Sequence, residues 1–391
     1  MRQVNVFPGL WPGRTGLEVV ERKGVGHPDT IADGIAELAS IQYSHYCLEN
    51  YGAVLHHNFD KVAVFGGLAD FNWTRGEYRR PFRIVFGGRA SRSFGNAKIP
   101  LEDILESAAR EQLMEVLRSD PPYPVEFVHM TTDSSMFEHW FSPRSHEDLP
   151  ELFDTRSNDT AFITSTWPLS TVEKLAFETE RCLWDHKWVG TDIKVLVVRN
   201  GQNFDVAVTA PALVGYFTDA NAYKEAAFTV KKELAVLWDE QATGKVHLTL
   251  RAFDDVETFP YPTYQECYVN LSGSSLDYGE DGLVGRGNGR HGLISPAAGA
   301  GNETCFGKNP MYHVGKVGGW LADRTAQAVG APTRISLAYR RGALYCEPML
   351  ALAHVEHERD RERAIAALEQ LGSFSWVEDL VYGERYRIRK V

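Results

Sequence analysis

Positive charge is what this chain lacks first: 41 lysines and arginines stand against 52 aspartates and glutamates, a formal net charge of −11. That balance excludes a nucleic-acid binder working by bulk electrostatics, because phosphate backbones are met by excess cations. Any anionic ligand must find a local basic cluster. Cysteine is also scarce. The five present (Cys47, Cys182, Cys267, Cys305 and Cys346) are scattered, odd in number and without C-x-x-C spacing, which argues for reduced thiols and against a disulfide frame or a zinc site. No run is long and apolar enough to span a bilayer, and the start MRQVNVFPGLWPG has no apolar stretch of signal-peptide length. A cytoplasmic protein with no membrane partner is expected. The P-loop pattern G-x-x-x-x-G-K-[ST] is missing, and no Ser-His-Asp or Cys-His arrangement stands out in the residue order.

Core-forming material, by contrast, is ample: 391 residues are 43% hydrophobic and 24% charged, enough for two or three domains. The chain is organised around Glu21-Arg22-Lys23-Gly24-Val25-Gly26-His27-Pro28-Asp29-Thr30. Behind it Ile31, Ile35, Leu38 and Ile41 recur at helical spacing, predicting an amphipathic helix from about Thr30 to Glu49. Pro28 and Asp29 suit a first helical turn. His27 and Asp29 behind two glycines and a basic pair point to an anion or metal-phosphate site at that helix start.

Downstream the pattern predicts a strand over 53–65, another over 82–86, a helix over 101–117 and a strand over 124–130. The same order recurs. Ser170 with Glu173 reads as a capping box opening a helix to about His186. Strands over 193–199 and 204–209 join through Asn200-Gly201, followed by a helix over 220–239 and a strand over 245–253. A third pass has a helix over 312–329, a hairpin over 335–353, a helix over 359–371 and a closing strand near Trp376. Helix starts near Pro28, Thr171 and Pro310 predict an α+β fold of three related sheet-and-helix units in pseudo-threefold arrangement, with antiparallel or mixed sheets. The expected units are 1–145 with the HPD motif, 146–270, and 271–391 with a glycine-rich basic loop. Sheets with helices on one face leave the other to be buried elsewhere, so a homodimer is expected.

That loop is Glu280-Asp281-Gly282-Leu283-Val284-Gly285-Arg286-Gly287-Asn288-Gly289-Arg290-His291-Gly292, with Gly307-Lys308-Asn309-Pro310-Met311-Tyr312-His313-Val314-Gly315-Lys316 soon after. Arg286, Arg290, His291, Lys308, His313 and Lys316 gather in it against one acid, Glu303, which marks a local anion site. Lesser signals are Asp192 with Lys194, expected on one side of a strand, and Thr131-Thr132-Asp133-Ser134-Ser135, which can hydrogen-bond a ribose or simply turn the chain. Ser157-Asn158-Asp159-Thr160 reads as an Asx turn. His56 and His57 of LHHNFDKV point to opposite faces of a strand, which argues against a shared metal.

The strings RKGVGHPDTIADGIAE, LHHNFDKV with Gly-Gly after it, SNDTAF, GTDIKV, EDGLVGRGNGRHGLISP and GKNPMYHVGK, in that order, resemble S-adenosylmethionine synthetase (methionine adenosyltransferase) of the archaeal-type branch. The resemblance implies transfer of the adenosyl group of ATP to the sulfur of L-methionine, with Mg²⁺ expected as two ions and K⁺ a candidate. It implies His27 beside the departing oxygen and Asp29 on Mg²⁺, with Lys194, Arg286 and Lys308 completing the catalytic set. Lys23, Arg290, His313, Lys316, Asp133, Ser134 and Ser135 would serve ATP and its phosphates. Asn58, Asp159, Asp192, Glu280 and Asp281 would serve methionine or ribose, Asp281 also a metal. The chain departs from the pattern at TTDSSM, at AGAGNETCF before GKNP, and at Leu68, where the bacterial branch has a carboxylate. These departures suggest a methionine relative as substrate. Alternatives are a Mg-dependent nucleoside-triphosphate or tripolyphosphate hydrolase on the same scaffold, or a non-catalytic paralogue.

Overall fold

The computed structural model describes residues 4–9, 16–118, 122–152, 154–241, 247–253, 267–295, 305–382 and 386–388. Most of AGAGNETCF (298–306), Glu303 and the first two residues of the strand expected over 245–253 lie outside them. In chain order, β1 (Val4–Pro8) and β2 (Leu17–Lys23) precede α1 (Pro28–Tyr51). β3 (Val62–Phe65), β4 (Phe82–Phe86), α2 (Leu101–Val116) and β5 (Val125–His129) follow. Then come β6 (Ala161–Trp167), α3 (Thr171–Trp184), β7 (Lys194–Asn200), β8 (Asn203–Thr209), α4 (Ala220–Gln241) and β9 (His247–Ala252). The last set is β10 (Gly282–Leu283), α5 (Val314–Val329), β11 (Thr333–Tyr339), β12 (Leu350–Val355) and α6 (Arg361–Glu369).

These strands build three four-stranded sheets, ordered β5-β4-β3-β10, β9-β8-β7-β2 and β1-β12-β11-β6. All three have one internal pattern. The edge pair is parallel (β5 with β4, β9 with β8, β1 with β12), and the next two pairings are antiparallel. The fourth strand of each sheet is on loan. β2, which leads into α1, completes the second sheet; β6, which leads into α3, completes the third; β10, ahead of α5, completes the first. The pseudo-threefold relation is therefore cyclic, and the strands cross between the segments 1–145, 146–270 and 271–391.

Helix pairs α1–α2, α3–α4 and α5–α6 pack together, and each sheet roofs its own apolar cluster. Under the first sheet, Ile31, Ile35 and Leu38 of α1 and Leu105, Ala108 and Leu113 of α2 meet Val62, Val64, Ile84 and Phe86. Each of these valine, leucine, isoleucine and phenylalanine side chains contributes about 1.5–3 kcal/mol by leaving water. The Ser170–Glu173 capping box forms in both directions, and Gly201 takes φ +61° in the β7–β8 turn. The described cysteines are all free thiols.

Several expectations are corrected. The slot beside β12 is filled by β1, so the region near Trp376 has no ladder to join and forms a single π-turn, Glu378–Tyr382, instead of a strand. The 53–65 strand breaks into His57–Asn58, paired with Arg89–Ala90, and β3, because Phe59 N–H turns to the Gly307 carbonyl. Helix α5 begins at Val314, four residues after Pro310. Asp192 lies ahead of β7 and not in it: Thr191 and Asp192 both donate backbone N–H to Gly273 O, leaving Asp192 buried and Lys194, the first strand residue, exposed, with both charges acting on His27. Helix α1 is buried over most of its length, polar side included.

Candidate active site

Two loops and a helix start meet at the β2–α1 junction. Glycines 24 and 26 earn their place by close packing: their N–H groups donate to Ile193 O (2.6 Å) and Thr191 O (2.9 Å). A Cβ on Gly24 would stand 2.6 Å from Thr191 O, and one on Gly26 would collide with the Thr191 hydroxyl. This presses RKGVGHPD against GTDIKV and sets Lys23 directly across from Lys194 in the β2–β7 register. Arg22 fixes the turn from behind, bonding Glu180 (2.6 Å) and Gly292 O (2.6 Å), while Glu180 also accepts from Val25 N–H (3.1 Å).

His27 is the N-cap of α1. Its Nδ1 accepts the Asp29 N–H at 3.1 Å, so Nε2 is the nitrogen that carries hydrogen in the neutral ring. Burial lowers its pKa below the ordinary 6.5 against the pull of Asp192, and Lys194 and Lys23 lower it further. Burial alone would raise Asp29, but the Leu283 N–H (3.0 Å) and the Lys23 ammonium (3.0 Å) outweigh it and hold the carboxyl below its ordinary range. Lys23 also donates to Arg286 O at 2.6 Å, and the backbone of Lys23 exchanges two bonds with the Asn288 amide (2.9 and 2.6 Å). The glycine-rich loop is thus tied to β2 and α1, with the exposed Arg286 side chain carried at its tip.

A second layer, not anticipated from the sequence, runs along α1. Asp29, Asp33 and Glu37 stand four residues apart on one helix face, and each accepts a backbone N–H from a motif loop: Leu283 (3.0 Å), Gly285 (2.8 Å) and Gly307 (3.0 Å) respectively. Ser40 continues the line, donating to Lys308 O at 3.2 Å. The signal was present as acids at four-residue spacing behind His27; it reads as a solvated face unless the helix is known to be buried. Asp33 is fully buried, and burial pushes its carboxyl well above the usual range despite the Gly285 bond. Lys316 meets both oxygens of Glu37, at 2.9 and 2.8 Å, in a pair 1% and 2% exposed.

A second polar cluster surrounds the start of α5. His313 is its N-cap, Nδ1 accepting from Gly315 N–H at 3.2 Å. Its pKa lies well below 6.5 through burial first, then the charges of Lys308, Lys316 and Lys61. Lys308 is buried, 3.7 Å from Asp60. Asn158 accepts the Val314 N–H at 2.9 Å, so SNDTAF helps seat α5, while Asp159 accepts from Thr160 next door (2.7 Å). A cavity of about 740 Å³ opens beside this cluster, with Asn58, Lys61, Ser135, Trp140 and Tyr312 in its wall.

The remaining expected residues lie as follows. Asp192 accepts from Tyr268 OH (2.9 Å), Ser275 N (3.0 Å) and Ser275 Oγ (2.6 Å) and faces the His27 ring electrostatically. Asp281 is exposed and takes the Gly66 N–H at 3.2 Å, with Glu280 exposed beside it. Arg290 is buried against Asp323 (3.4 Å) and the Thr164 carbonyl. Asp133 and Ser134 are exposed in a loop where Ser134 N–H bonds Thr132 Oγ1 (3.1 Å). Among the described residues no three His, Cys, Asp or Glu side chains gather as a metal cage. Mg²⁺ characteristically uses one or two carboxylates plus phosphate oxygens and water, and Asp29 with Asp281 two residues from Leu283 offers a donor set of that kind. No helix among the described residues is long and apolar enough to cross a membrane.

The family model described as S-adenosylmethionine synthetase (AdoMet synthetase) matches residues 8–337. The chain belongs to the S-adenosylmethionine synthetase family. Its relatives include an uncharacterized protein of Streptococcus pyogenes serotype M3, 36% identical over 370 residues, covering 90% of this chain and 89% of that one. The S-adenosylmethionine synthase of Thermoplasma acidophilum is 34% identical over 321 residues (80% and 77%). That of Pyrobaculum neutrophilum is 34% identical over 335 residues (81% and 79%). Among solved structures, an unusual S-adenosylmethionine synthetase from Campylobacter jejuni shares the fold, with TM-score 0.54 and 15% identity over 96% of this chain and 94% of that one.

Proposed function

We propose that this synthetase-family chain transfers the adenosyl group of ATP to the sulfur of L-methionine or a close thioether analogue, giving S-adenosylmethionine, phosphate and pyrophosphate. The observation that carries the reading is the meeting of Lys23, His27, Asp29 and Lys194 under the Arg286 loop. A thioether sulfur has no proton to lose, so the reaction needs no general base. The load falls on the departing triphosphate, and donors aimed at developing charge are the effective device. His27, kept neutral by burial, donates from Nε2 to the bridging oxygen. Lys194 and Arg286 hold phosphate oxygens, with Lys308 and His313 serving from the α5 side. Asp29 and Asp281 would hold Mg²⁺, which would supply neutralising charge to the triphosphate. Lys23 already compensates the Asp29 carboxylate and orders the loop beside it.

A homodimer fits this reading. The open face of the second sheet exposes Leu17 (57%), Val19 (38%) and Leu196 (43%), and that face continues in register to Lys23 and Lys194. A partner over it would shield the site. A crystal complex with ATP, Mg²⁺ and methionine tests the assignment: the triphosphate is expected within hydrogen-bond distance of His27, Lys194 and Arg286. A triphosphate bound away from all three overturns it.

A further inference from the structure

The turn that follows Arg286 is anchored on a buried carboxylate of α5. Gly289 N–H donates to Leu293 O (3.1 Å) and Gly292 N–H to Gly289 O (2.8 Å), closing a tight turn over 289–293. At its base Ile294 exchanges two backbone bonds with Glu21 of β2, at 2.8 and 2.9 Å. Within the turn Arg290 and His291 reach the other way, to Asp323, which is 2% exposed. One oxygen of that carboxylate, Oδ1, lies 3.4 Å from Arg290 Nε and 3.2 Å from His291 Nε2, and it accepts the Ser165 hydroxyl of β6. Arg290 also donates to the Thr164 carbonyl. Gly319 stands one helical turn before Asp323 on the same face, and a Cβ there would come 3.2 Å from Arg290 Cδ. The helix is thus bare where the arginine crosses it and charged where the guanidinium ends.

Ser165, His291 and Asp323 gather here, yet they do not form a nucleophilic triad. Such a triad uses the two ring nitrogens for different partners, whereas Nε2 of His291 faces both Asp323 and the Ser165 hydroxyl (3.2 Å). Ser165 is also only 1% exposed. The cluster is an anchor. The Arg290 side chain is 5% exposed, and a guanidinium keeps its charge when buried, so it needs the carboxylate. Because Arg290 and His291 are consecutive, holding both fixes the orientation of the turn as well as its position. The segment carrying Arg286 is then held at both ends, by Asp33 through Gly285 and by Asp323 through Arg290, with Asn288 bonded to Lys23 between them. A side chain carried on such a fixed support loses less freedom when its ligand arrives. We propose that Asp323 is a positioning residue for adenosyl transfer: through Arg290 and His291 it sets the 286–292 loop, and so Arg286, against the triphosphate. Arg290 in this arrangement acts on the loop and not on the nucleotide. The inference rests on the phosphate role proposed for Arg286.

Calorimetry on the full chain, with Mg²⁺ and no thioether, reads this placement directly. The probes are β,γ-imido-ATP, which resists hydrolysis, and adenosine, which lacks the phosphates. Asp323→Asn keeps an acceptor oxygen and removes the charge. It is expected to bind the imido nucleotide about tenfold more weakly, or about 1.4 kcal/mol, with adenosine unmoved. Arg286→Ala should lose at least as much. The two changes together should lose no more than Arg286→Ala alone, within about a factor of two, because one acts through the other. Should Asp323→Asn fail to fold with its arginine unpaired, Gly319→Ala decides. Alanine favours the helix, leaves every charge in place, and has Arg290 atoms as its nearest contacts. It should weaken the imido nucleotide several-fold at an unchanged or higher melting temperature. Affinity unmoved in the folded variants, an equal loss for adenosine, or losses that multiply in the double change overturn the positioning role and leave Arg286 on phosphate. An Arg286→Ala chain that binds the imido nucleotide as tightly as the parent removes the phosphate reading of Arg286, and this inference with it.

Discussion

His27 and His313 cap their helices in the same way: Nδ1 of each accepts the N–H two residues on, at 3.1 and 3.2 Å. Two units of the pseudo-threefold frame thus present a neutral imidazole at a helix N-terminus, where backbone donors already favour negative charge. In the remaining, second unit Ser170 fills the place. The pairing separates two jobs of His27 that a single alanine would confound.

His27→Ala should lose both. Removing a donor from a charge-stabilising site costs about 10²–10³ in kcat, and losing the cap costs about 1 kcal/mol of stability. His27→Asn keeps a capping oxygen, so it should recover the melting temperature without recovering kcat. Parallel steady-state assays and thermal melts check this, and a fully active His27→Asn would remove the donor role.

Buried histidines also set the acid response. Burial depresses His27 and His313 below 6.5 and takes His57 to about 3. Below pH 6.5 the unfolded chain therefore binds protons that the folded chain refuses, so stability falls as pH drops, by up to about 1.4 kcal/mol per unit for each group. Asp33 and Asp277, raised by burial, act in the opposite sense. Urea midpoints at pH 7, 6 and 5 should decline, and His57→Gln should flatten the decline relative to the parent chain. An unchanged slope would contradict the assignment.

Asp33 touches no expected ligand, yet it holds Gly285 of the loop that carries Arg286. Asp33→Ala leaves that N–H without its acceptor, at a cost of about 1–3 kcal/mol, and loosens the arginine. The expected result is an ATP KM several-fold higher. Asp33→Asn keeps an acceptor oxygen and discards a charge that burial already disfavours, so it should lie much closer to the parent. Kinetics on both variants, with methionine saturating, settle the order.

Lys316 was expected on phosphate and instead fills a buried pair with Glu37. Lys316→Ala strands Glu37 and should cost about 3–5 kcal/mol in chemical denaturation. The double change Glu37→Gln with Lys316→Met removes both charges and should regain much of that loss. A Lys316→Ala protein as stable as the parent would mean the pair does not form.

Much of this was legible in the sequence. Helix starts, the β7–β8 hairpin and the Ser170 box are local events written in adjacent residues, and the motif strings name the site. Strands β1, β2 and β6 escaped because their partners lie in other segments of the chain; a borrowed strand carries no local mark of the sheet it joins. The same holds for the α1 acids, whose spacing looks solvated until the loops are placed upon them. Of the cavity wall only Asn58 and Ser135 were among the expected site residues; Arg89, Trp140, Glu151, Tyr312 and Arg341 join them through long-range packing.

The central claim is that ATP loses its adenosyl group to a thioether, and product stoichiometry tests it most directly. Purified protein with ATP, Mg²⁺ and L-methionine should yield S-adenosylmethionine, phosphate and pyrophosphate in equal amounts by mass spectrometry and phosphate assay. All three should vanish when no thioether is supplied. Phosphate or tripolyphosphate release that continues unchanged without methionine, with no sulfonium product at any point, would contradict the account and leave a phosphohydrolase in its place.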